Sequence, residues 1–301
     1  MRVISVLPSA TEIVDSLGHG GELVARSSEC DFPPTVRNLP VVMRPRTWDA
    51  DRPSAEIDER VRRARERSES LYDLDLDLLR ELRPDLLLTQ NLCGVCSVTE
   101  EEVAKACALA GVRPRVVSLA PTRLSEVWDS IETVGEALGD PSRGKELAVS
   151  LRDRTRQLPS SGRTVAIVEW LDPPILAGLW TPDLVVAAGG VPVGPRPSEP
   201  GARTTWPELA RQAPDLLVVS PCSFSVGRSK REFGDNPALL AAVRSVRAPL
   251  GAFVADEAYF SRPGPRLAAG AELVRTLLEG KEPRGPMPVD PLPSVRAEGR
   301  P

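Results

Sequence analysis

Short apolar runs alternate with helical segments along most of the 301-residue chain. Runs rich in Val, Ile and Leu predict buried strands, while apolar residues recurring every three or four positions predict amphipathic helices. The predicted strands cover residues 2–7, 22–27, 85–89, 115–120, 164–170, 215–220 and 251–256. Predicted helices include residues 56–69, 75–82, 236–246 and 264–279. Such an alternation favours mainly parallel α/β sheets with helices on both faces.

Two predicted helix starts carry a capping box, in which a hydroxyl and a carboxylate three residues later each bond a backbone N–H. Ser9 and Glu12 form this pattern directly after the first strand, and Thr99 and Glu102 form it before a later helix. We therefore expect both helices to begin at these hydroxyl residues.

The helical pattern is nearly continuous from residue 124 to 158 and breaks only around Pro141. Pro141 suits a helix start, and Leu147, Leu151 and Leu158 recur at helical spacing, so we expect one uninterrupted helix over residues 142–158 that spans two lobes. The predicted fold is two Rossmann-like α/β lobes joined by a long backbone helix, with a ligand cleft between the lobes. The expected divisions are an N-terminal lobe (1–123), a connecting helical segment (124–160), a C-terminal lobe (161–280) and a Pro-rich disordered tail (281–301).

The formal net charge of -4 gives no electrostatic reason to expect nucleic acid or an anionic membrane as a partner. The sequence shows neither a signal peptide nor a run of about twenty apolar residues, so we expect no membrane insertion. Five cysteines are too few for a disulfide scaffold. Together these features predict a cytoplasmic protein with reduced thiols.

Unusual residues follow the predicted strands at their carboxyl ends, where parallel sheets bind ligands. Three of these loops carry cysteine, namely Cys30, the pair Cys93 and Cys96 in "QNLCGVCSV", and Cys222. Thiolates are soft ligands for zinc or an iron-sulfur cluster, so these four residues form a predicted metal site. A redox dithiol and inert cysteines stay open as alternatives, while Cys107 fits a helix core.

Six ordered blocks resemble the cobalamin-binding subfamily of helical-backbone (class III, TroA-like) solute-binding proteins over roughly residues 1–280. The blocks are "VLPSATEIVDSLG", "SSECDFPP", "TQNLCGVCSV", "EWLDPPILAGLWTPDLVVAAGG", "SPCSF" and "RPGPRLAAGAELV". The resemblance implies two α/β lobes and one ligand, cobalamin or a related corrinoid, in the cleft between them. It also implies an ABC transporter as partner for exported members. Without a signal peptide that partner is doubtful for this chain.

The chain departs from the family pattern at three positions. Ser28 stands where relatives often have His, Leu179 where they have His before Trp, and Ser223 where they have Gly between Cys and Phe. The predicted ligand-binding residues lie in or near the strand-end loops: Ser9, Ala10, Thr11, Glu29, Asp31, Trp48, Gln90, Trp170, Trp180, Phe224, Tyr259 and Arg262. Aromatic rings among them could cover a flat ligand such as a corrin.

The sequence gives little reason to expect an enzyme. The single histidine, His19, lies in a turn away from the strand ends, and neither a P-loop nor an HExxH motif occurs. We expect a binding protein, and a cysteine-ligated metal or iron-sulfur protein with a redox or sulfur-transfer role stays open as the alternative.

Overall fold

The computed structural model describes residues 1–46, 52–92, 98–283 and 289–292. The chain divides into two compact units. Unit 1 comprises Met1–Arg156 and Arg262–Ala268, and unit 2 comprises Gln157–Ser261 and Ala269–Pro301. Each unit is built on its own β-sheet, so the predicted α/β class is confirmed.

Within the described residues, the sheet of unit 1 has six strands in the order β4-β3-β2-β1-β5-β6. All neighbouring pairs are parallel except β3 and β4. Leu86, Leu87 and Leu88 of β5 are almost fully buried, as expected for a central strand covered on both faces. The strands are β1 (Val3–Ser5), β2 (Leu23–Ser27), β3 (Val41–Pro45), β4 (Tyr72–Leu74), β5 (Leu86–Gln90) and β6 (Arg115–Leu119).

The helices of unit 1 are α1 (Pro8–Ser16), α2 (Ser54–Glu66), α3 (Leu76–Leu82), α4 (Glu100–Ala110), α5 (Leu124–Leu138) and α6 (Pro141–Arg154). The capping box predicted before α4 is confirmed, since Glu102 N donates to Thr99 Oγ1 at 3.2 Å and Thr99 N donates to Glu102 Oε2 at 2.9 Å. The box predicted at Ser9 and Glu12 is wrong. α1 begins one residue earlier, at Pro8, without a side-chain cap, because arginines elsewhere in unit 1 bind the Glu12 carboxylate.

α5 and α6 pack against each other through two glycines. A Cβ atom added at Gly135 would lie 2.8 Å from Gly144 Cα, so the helix backbones approach more closely than any other residue would allow. The expected helix over residues 142–158 is wrong in its extent. α6 ends at Arg154, inside unit 1, and residues 155–158 leave the helix.

The sheet of unit 2 has the strand order β10-β8-β7-β11-β12-β13, and β9 also pairs with β7. β7 runs parallel to β9 and β11, and β11 runs parallel to β12. β8, β10 and β13 join antiparallel to their neighbours, so this sheet is mixed. The strands are β7 (Thr164–Leu171), β8 (Pro174–Leu176), β9 (Val191–Val193), β10 (Ala202–Arg203), β11 (Leu216–Val219), β12 (Ala252–Ala255) and β13 (Val289–Pro291).

The remaining helices are α7 (Thr181–Ala187), α8 (Trp206–Gln212), α9 (Val226–Asp235), α10 (Pro237–Arg244) and α11 (Leu267–Leu278). All belong to unit 2 except the first two residues of α11. Several elements of unit 2 were not predicted, among them β8, β9, β10, α9 and β13. α9 was not predicted, because its charged sequence hides the buried Val226 and Phe233. Residues Val289–Pro291 form β13 inside the tail that was expected to be disordered, since β12 offers them an open edge to pair with.

Across the described ranges, no helix is both long and apolar enough to cross a membrane.

The glycine contact between α5 and α6 predicts opposite effects for two Gly→Ala substitutions. Alanine normally stabilises a helix relative to glycine, but Gly135→Ala places a methyl group against Gly144 and should lower the free energy of unfolding by about 1–3 kcal/mol. Gly234 in α9 has no atom within 4 Å of an added Cβ. Gly234→Ala should therefore raise the free energy of unfolding by about 0.5–1 kcal/mol. Urea unfolding measures both, and a stabilised Gly135→Ala variant contradicts the contact.

Candidate functional site

Each unit changes the direction of its strand order at one place. In unit 1 the chain proceeds from β1 to β2 and β3 on one side and continues with β5 and β6 on the other. In unit 2, β9 lies on one side of β7 while β11 and β12 lie on the other. Open α/β sheets bind ligands beside the carboxyl ends of the strands at such switch points. We therefore expect ligand-binding residues at the carboxyl ends of β1 and β5 in unit 1 and of β7 and β11 in unit 2.

At the β1 end of unit 1, a buried carboxylate is held by two arginines. Glu12 in α1 is 2% exposed. Arg266 donates to it from Nε at 2.8 Å and from Nη2 at 2.5 Å, and Arg262 Nη1 donates to it at 3.2 Å. Arg262 Nη1 also donates to Asp31 Oδ1 at 2.5 Å. We call Glu12, Asp31, Arg262 and Arg266 the arginine clamp.

The arginine clamp joins the segment 262–268 to the loop after β2. Burial alone raises the pKa of Asp31, but the hydrogen bond and charge of Arg262, together with the charges of Arg266 and Arg37, outweigh it and hold this pKa below its usual value. The Arg266 guanidinium also stacks over the Phe32 ring, 4.6 Å from its centre. Asp31 and Arg262, both predicted ligand-binding residues, are thus brought together by an ion pair.

The other predicted site residues near the β1 end are largely enclosed. Ser9, Ala10 and Thr11 are buried, and Gln90 at the end of β5 is 8% exposed. Thr11 Oγ1 lies within hydrogen-bonding distance of Ser5 Oγ, the Leu7 carbonyl and, at 3.1 Å, the sulfur of Cys30. Glu29 lies in the neighbouring loop and is half-buried. Ligand contacts of these residues stay predictions.

The structure gives Cys30 the character of a core residue. Burial raises the pKa of its thiol to about 11, although the hydrogen bond from Thr11 and the nearby arginines act in the opposite direction. With such a pKa the free thiol is protonated at neutral pH and is a poor nucleophile. Cys107 is likewise buried in α4, with its pKa raised by burial.

The predicted four-thiolate site receives no support from the described residues. Cys93 and Cys96 lie outside them, as does Trp48. Among the residues that the structure does describe, no group of three or more His, Cys, Asp or Glu side chains could hold a metal ion. Zinc and iron-sulfur binding are therefore unsupported.

A depression of about 510 Å³ lies at the end of β5, lined by Asn91, Thr99, Glu100, Glu101 and Ala104. Apart from Ala104, the described residues of its lining are polar or acidic.

At the β7–β11 end of unit 2, a stack of three side chains is found. The rings of Trp170 and Phe224 lie 5.5 Å apart at 57°, and the Arg228 guanidinium lies 4.2 Å from the Phe224 ring centre. Arg228, buried in α9, is 3.0 Å from the Glu232 carboxylate one turn later. Cation–π contact and ion pairing together compensate the burial of the Arg228 charge.

Trp170 is the half-exposed member of this stack. Its indole Nε1 is buried, and no acceptor for it is found in the part of the chain that the structure describes. An unsatisfied buried donor costs about 1–3 kcal/mol.

The remaining predicted residues of unit 2 have different surroundings. Trp180 is 6% exposed and donates from Nε1 to the Phe260 carbonyl at 2.7 Å, which makes it a core residue here. Tyr259 and Cys222 are half-buried, in a single 3-10 turn and in the loop after β11. Their ligand contacts stay predictions.

The sequence did not identify four residues that form buried ion pairs at these strand ends: Glu12, Arg266, Arg228 and Glu232. Glu12 was interpreted as half of a local capping box. Its partners are more than 240 positions away, so nothing in its surrounding sequence points to them. The i, i+4 spacing of Arg228 and Glu232 was visible, but such pairs are usually exposed.

Comparisons with known proteins support the resemblance seen in the sequence. No family model matches the chain. The vitamin B12-binding protein of Vibrio cholerae is 23% identical over 285 residues, covering 92% of this chain and 89% of the relative. An ABC transporter substrate-binding lipoprotein of Bacillus subtilis, YvrC, is 23% identical over 167 residues, covering 55% of this chain and 43% of the relative.

Solved structures give the same picture for the fold. A periplasmic heme-binding protein from Pseudomonas aeruginosa matches with a TM-score of 0.69 at 18% identity, covering 97% of this chain and 98% of that one. The periplasmic vitamin B12-binding protein BtuF of Vibrio cholerae matches with a TM-score of 0.60 at 21% identity, covering 92% and 96%. The resemblance to the helical-backbone (class III) solute-binding proteins is thereby confirmed.

The predicted cytoplasmic location is wrong. The solved neighbours from Pseudomonas aeruginosa and Vibrio cholerae are periplasmic proteins and the Bacillus relative is a lipoprotein, which points outside the cytoplasm. The prediction depended on the small number of cysteines and on the absence of a recognised signal peptide, and buried thiols such as Cys30 do not report the redox compartment. The doubt about a transporter partner depended on the signal peptide and has no support.

The arginine clamp predicts a large cost for neutralising its buried carboxylate. Glu12→Gln leaves the Arg262 and Arg266 charges without their shared partner and should lower the free energy of unfolding by about 3–5 kcal/mol. Glu59→Gln is the matched control, since Glu59 pairs with Arg62 and Arg63 on the exposed face of α2 and should change stability by less than about 1 kcal/mol. Equal urea midpoints for the two variants would argue against the clamp.

The loop after β11 predicts a stabilising substitution. Ser223 has a φ of 63°, a conformation that costs a non-glycine residue roughly 1–2 kcal/mol. Glycine adopts this conformation without strain, so Ser223→Gly should raise the thermal midpoint. Ser225→Ala, two residues later, removes the N-cap of α9, where the Ser225 hydroxyl accepts from Arg228 N at 3.2 Å, and should lower stability by about 1 kcal/mol. Calorimetry that finds Ser223→Gly destabilised contradicts the strained turn.

Proposed function

We propose that the chain is the substrate-binding component of an ABC transporter outside the cytoplasm, and that its ligand is cobalamin or a related corrinoid. The observation that carries the proposal is the similarity to a vitamin B12-binding protein along nearly the whole of both chains. The six ordered sequence blocks are distributed over the same length.

The chemistry of the β7–β11 strand ends supports a large, flat ligand. The Trp170 ring is half-exposed and is held in place by Phe224, which is 3% exposed and is itself covered by Arg228. Aromatic side chains with few rotatable bonds bind flat ligands at low entropic cost.

The transporter partner follows from the kind of protein that the chain resembles. The Bacillus relative is a substrate-binding lipoprotein of an ABC transporter. A ligand-binding protein with this fold fits the role of delivering its ligand to a membrane permease.

Heme is the second candidate, favoured by the higher TM-score of the Pseudomonas heme-binding protein. Heme iron usually takes an axial ligand from the protein, commonly His, Tyr, Cys or Met. His19 lies at the amino end of β2, away from the strand carboxyl ends, and its Nδ1 is 2.7 Å from Glu22 Oε1. Tyr259 is half-buried at the strand ends of unit 2 and would be the ligand to test. A corrinoid brings its own axial groups and needs none of these.

Titration with cyanocobalamin and, separately, with hemin distinguishes the candidates. The corrinoid proposal predicts saturable binding of cyanocobalamin by calorimetry and quenching of tryptophan fluorescence. Trp170→Ala should weaken this binding by about tenfold to a hundredfold, because an aromatic face worth 1.4 kcal/mol or more is lost. Hemin binding that Tyr259→Phe abolishes, without cyanocobalamin binding, would favour heme instead.

Trp206→Phe is the matched control for Trp170→Ala. Trp206 is also a tryptophan of unit 2, but it is buried and donates from Nε1 to the Leu171 carbonyl at 3.2 Å. We expect its replacement to change stability while leaving affinity within about twofold. If the Trp170 and Trp206 variants lose affinity equally, Trp170 does not contact the ligand; if neither ligand binds wild-type protein, the proposed function fails.

A further inference from the structure

Few interactions among the described residues attach β13 to unit 2. β13 pairs antiparallel with β12 through Val289, Asp290 and Pro291, opposite Ala255, Val254 and Phe253. Beyond the pairing, Leu292 N donates to the Ala252 carbonyl at 2.8 Å. All four residues from 289 to 292 keep part of their surface exposed. A three-residue edge strand of this kind is far from stable on its own.

An ion pair favours the register in which β13 pairs with β12. Lys230 Nζ in α9 lies 2.7 Å from Asp290 Oδ2, and both side chains are 44% exposed. Exposed pairs contribute little free energy but favour the register in which opposite charges meet. In the described part of the chain, backbone hydrogen bonds and this ion pair hold the strand.

The edge that β13 covers is apolar. Within β12, Val254 and Ala255 are fully buried. An uncovered apolar edge strand is a template for pairing with another chain. Strand addition at a sheet edge draws its affinity from main-chain hydrogen bonds and its specificity from alternate side chains.

We propose that β13 is an exchangeable strand, and that the β12 edge of a second copy of this chain accepts it, so that two chains trade residues 289–292. Every copy presents both the acceptor edge with Lys230 and the strand with Asp290, which makes the exchange self-complementary. α11 ends at Leu278 and β13 begins at Val289, and the chain between them can reach roughly 35 Å when extended. That reach suffices for a neighbouring molecule.

A reciprocal charge swap tests the exchange. Lys230→Asp and Asp290→Lys each place like charges together, both within one chain and between two identical chains. An equimolar mixture of the two variants restores opposite charges at both crossed contacts. After mixing in mild urea and dialysis, sedimentation velocity should show an association constant about tenfold higher for the mixture than for either variant alone.

A second measurement examines the acceptor edge directly. A chain that ends at Pro283 should bind a fluorescent peptide of residues 287–293, and the same peptide with Asp290→Lys should bind several-fold more weakly. Full-length protein should bind the peptide less than the shortened chain, since its own β13 occupies the edge. Absence of peptide binding to the folded shortened chain overturns the acceptor edge, and a mixture that stays monomeric overturns the exchange even where the peptide binds.

Discussion

The burial of the Glu12 carboxylate is the constraint on which unit 1 depends. A carboxylate that is 2% exposed would be strongly destabilising without charged partners, and here Arg262 and Arg266 supply five-donor guanidinium groups from the 262–268 segment. Because α1 begins directly after β1, the same contact holds this distant segment at the β1 strand end. Arg262 then reaches Asp31 in the loop after β2, so one buried charge organises three separate parts of the chain.

Unit 2 uses a related solution at its own strand ends. The Arg228 charge is compensated by Glu232 and by the face of Phe224, and Phe224 in turn fixes Trp170. In both units, a buried ion pair therefore holds neighbouring side chains in fixed positions. In unit 2 the result is an aromatic surface of fixed orientation, which a flat ligand would complement.

Residue type alone was a poor guide to the chemistry of the thiols. Cysteine at a strand end suggested a metal ligand, but the pKa of Cys30 is raised to about 11 because its surroundings exclude water. The same burial explains why reduced cysteines did not indicate the compartment. Ser223 gives the opposite case, where a departure from the family pattern was visible in the sequence and its strained backbone explains why glycine is favoured there.

The sequence by itself determined the α/β class, the positions of the seven main strands, the start of α4 and the resemblance to solute-binding proteins, because apolar runs and capping residues act within a few positions of one another. Only the tertiary structure decided that Glu12 pairs with Arg262 and Arg266, that the charged α9 packs into unit 2, that α6 ends at Arg154, and that residues 289–291 join β12. These outcomes depend on groups brought together from distant positions. Neither a buried charge nor an open strand edge produces a periodic pattern in the neighbouring sequence.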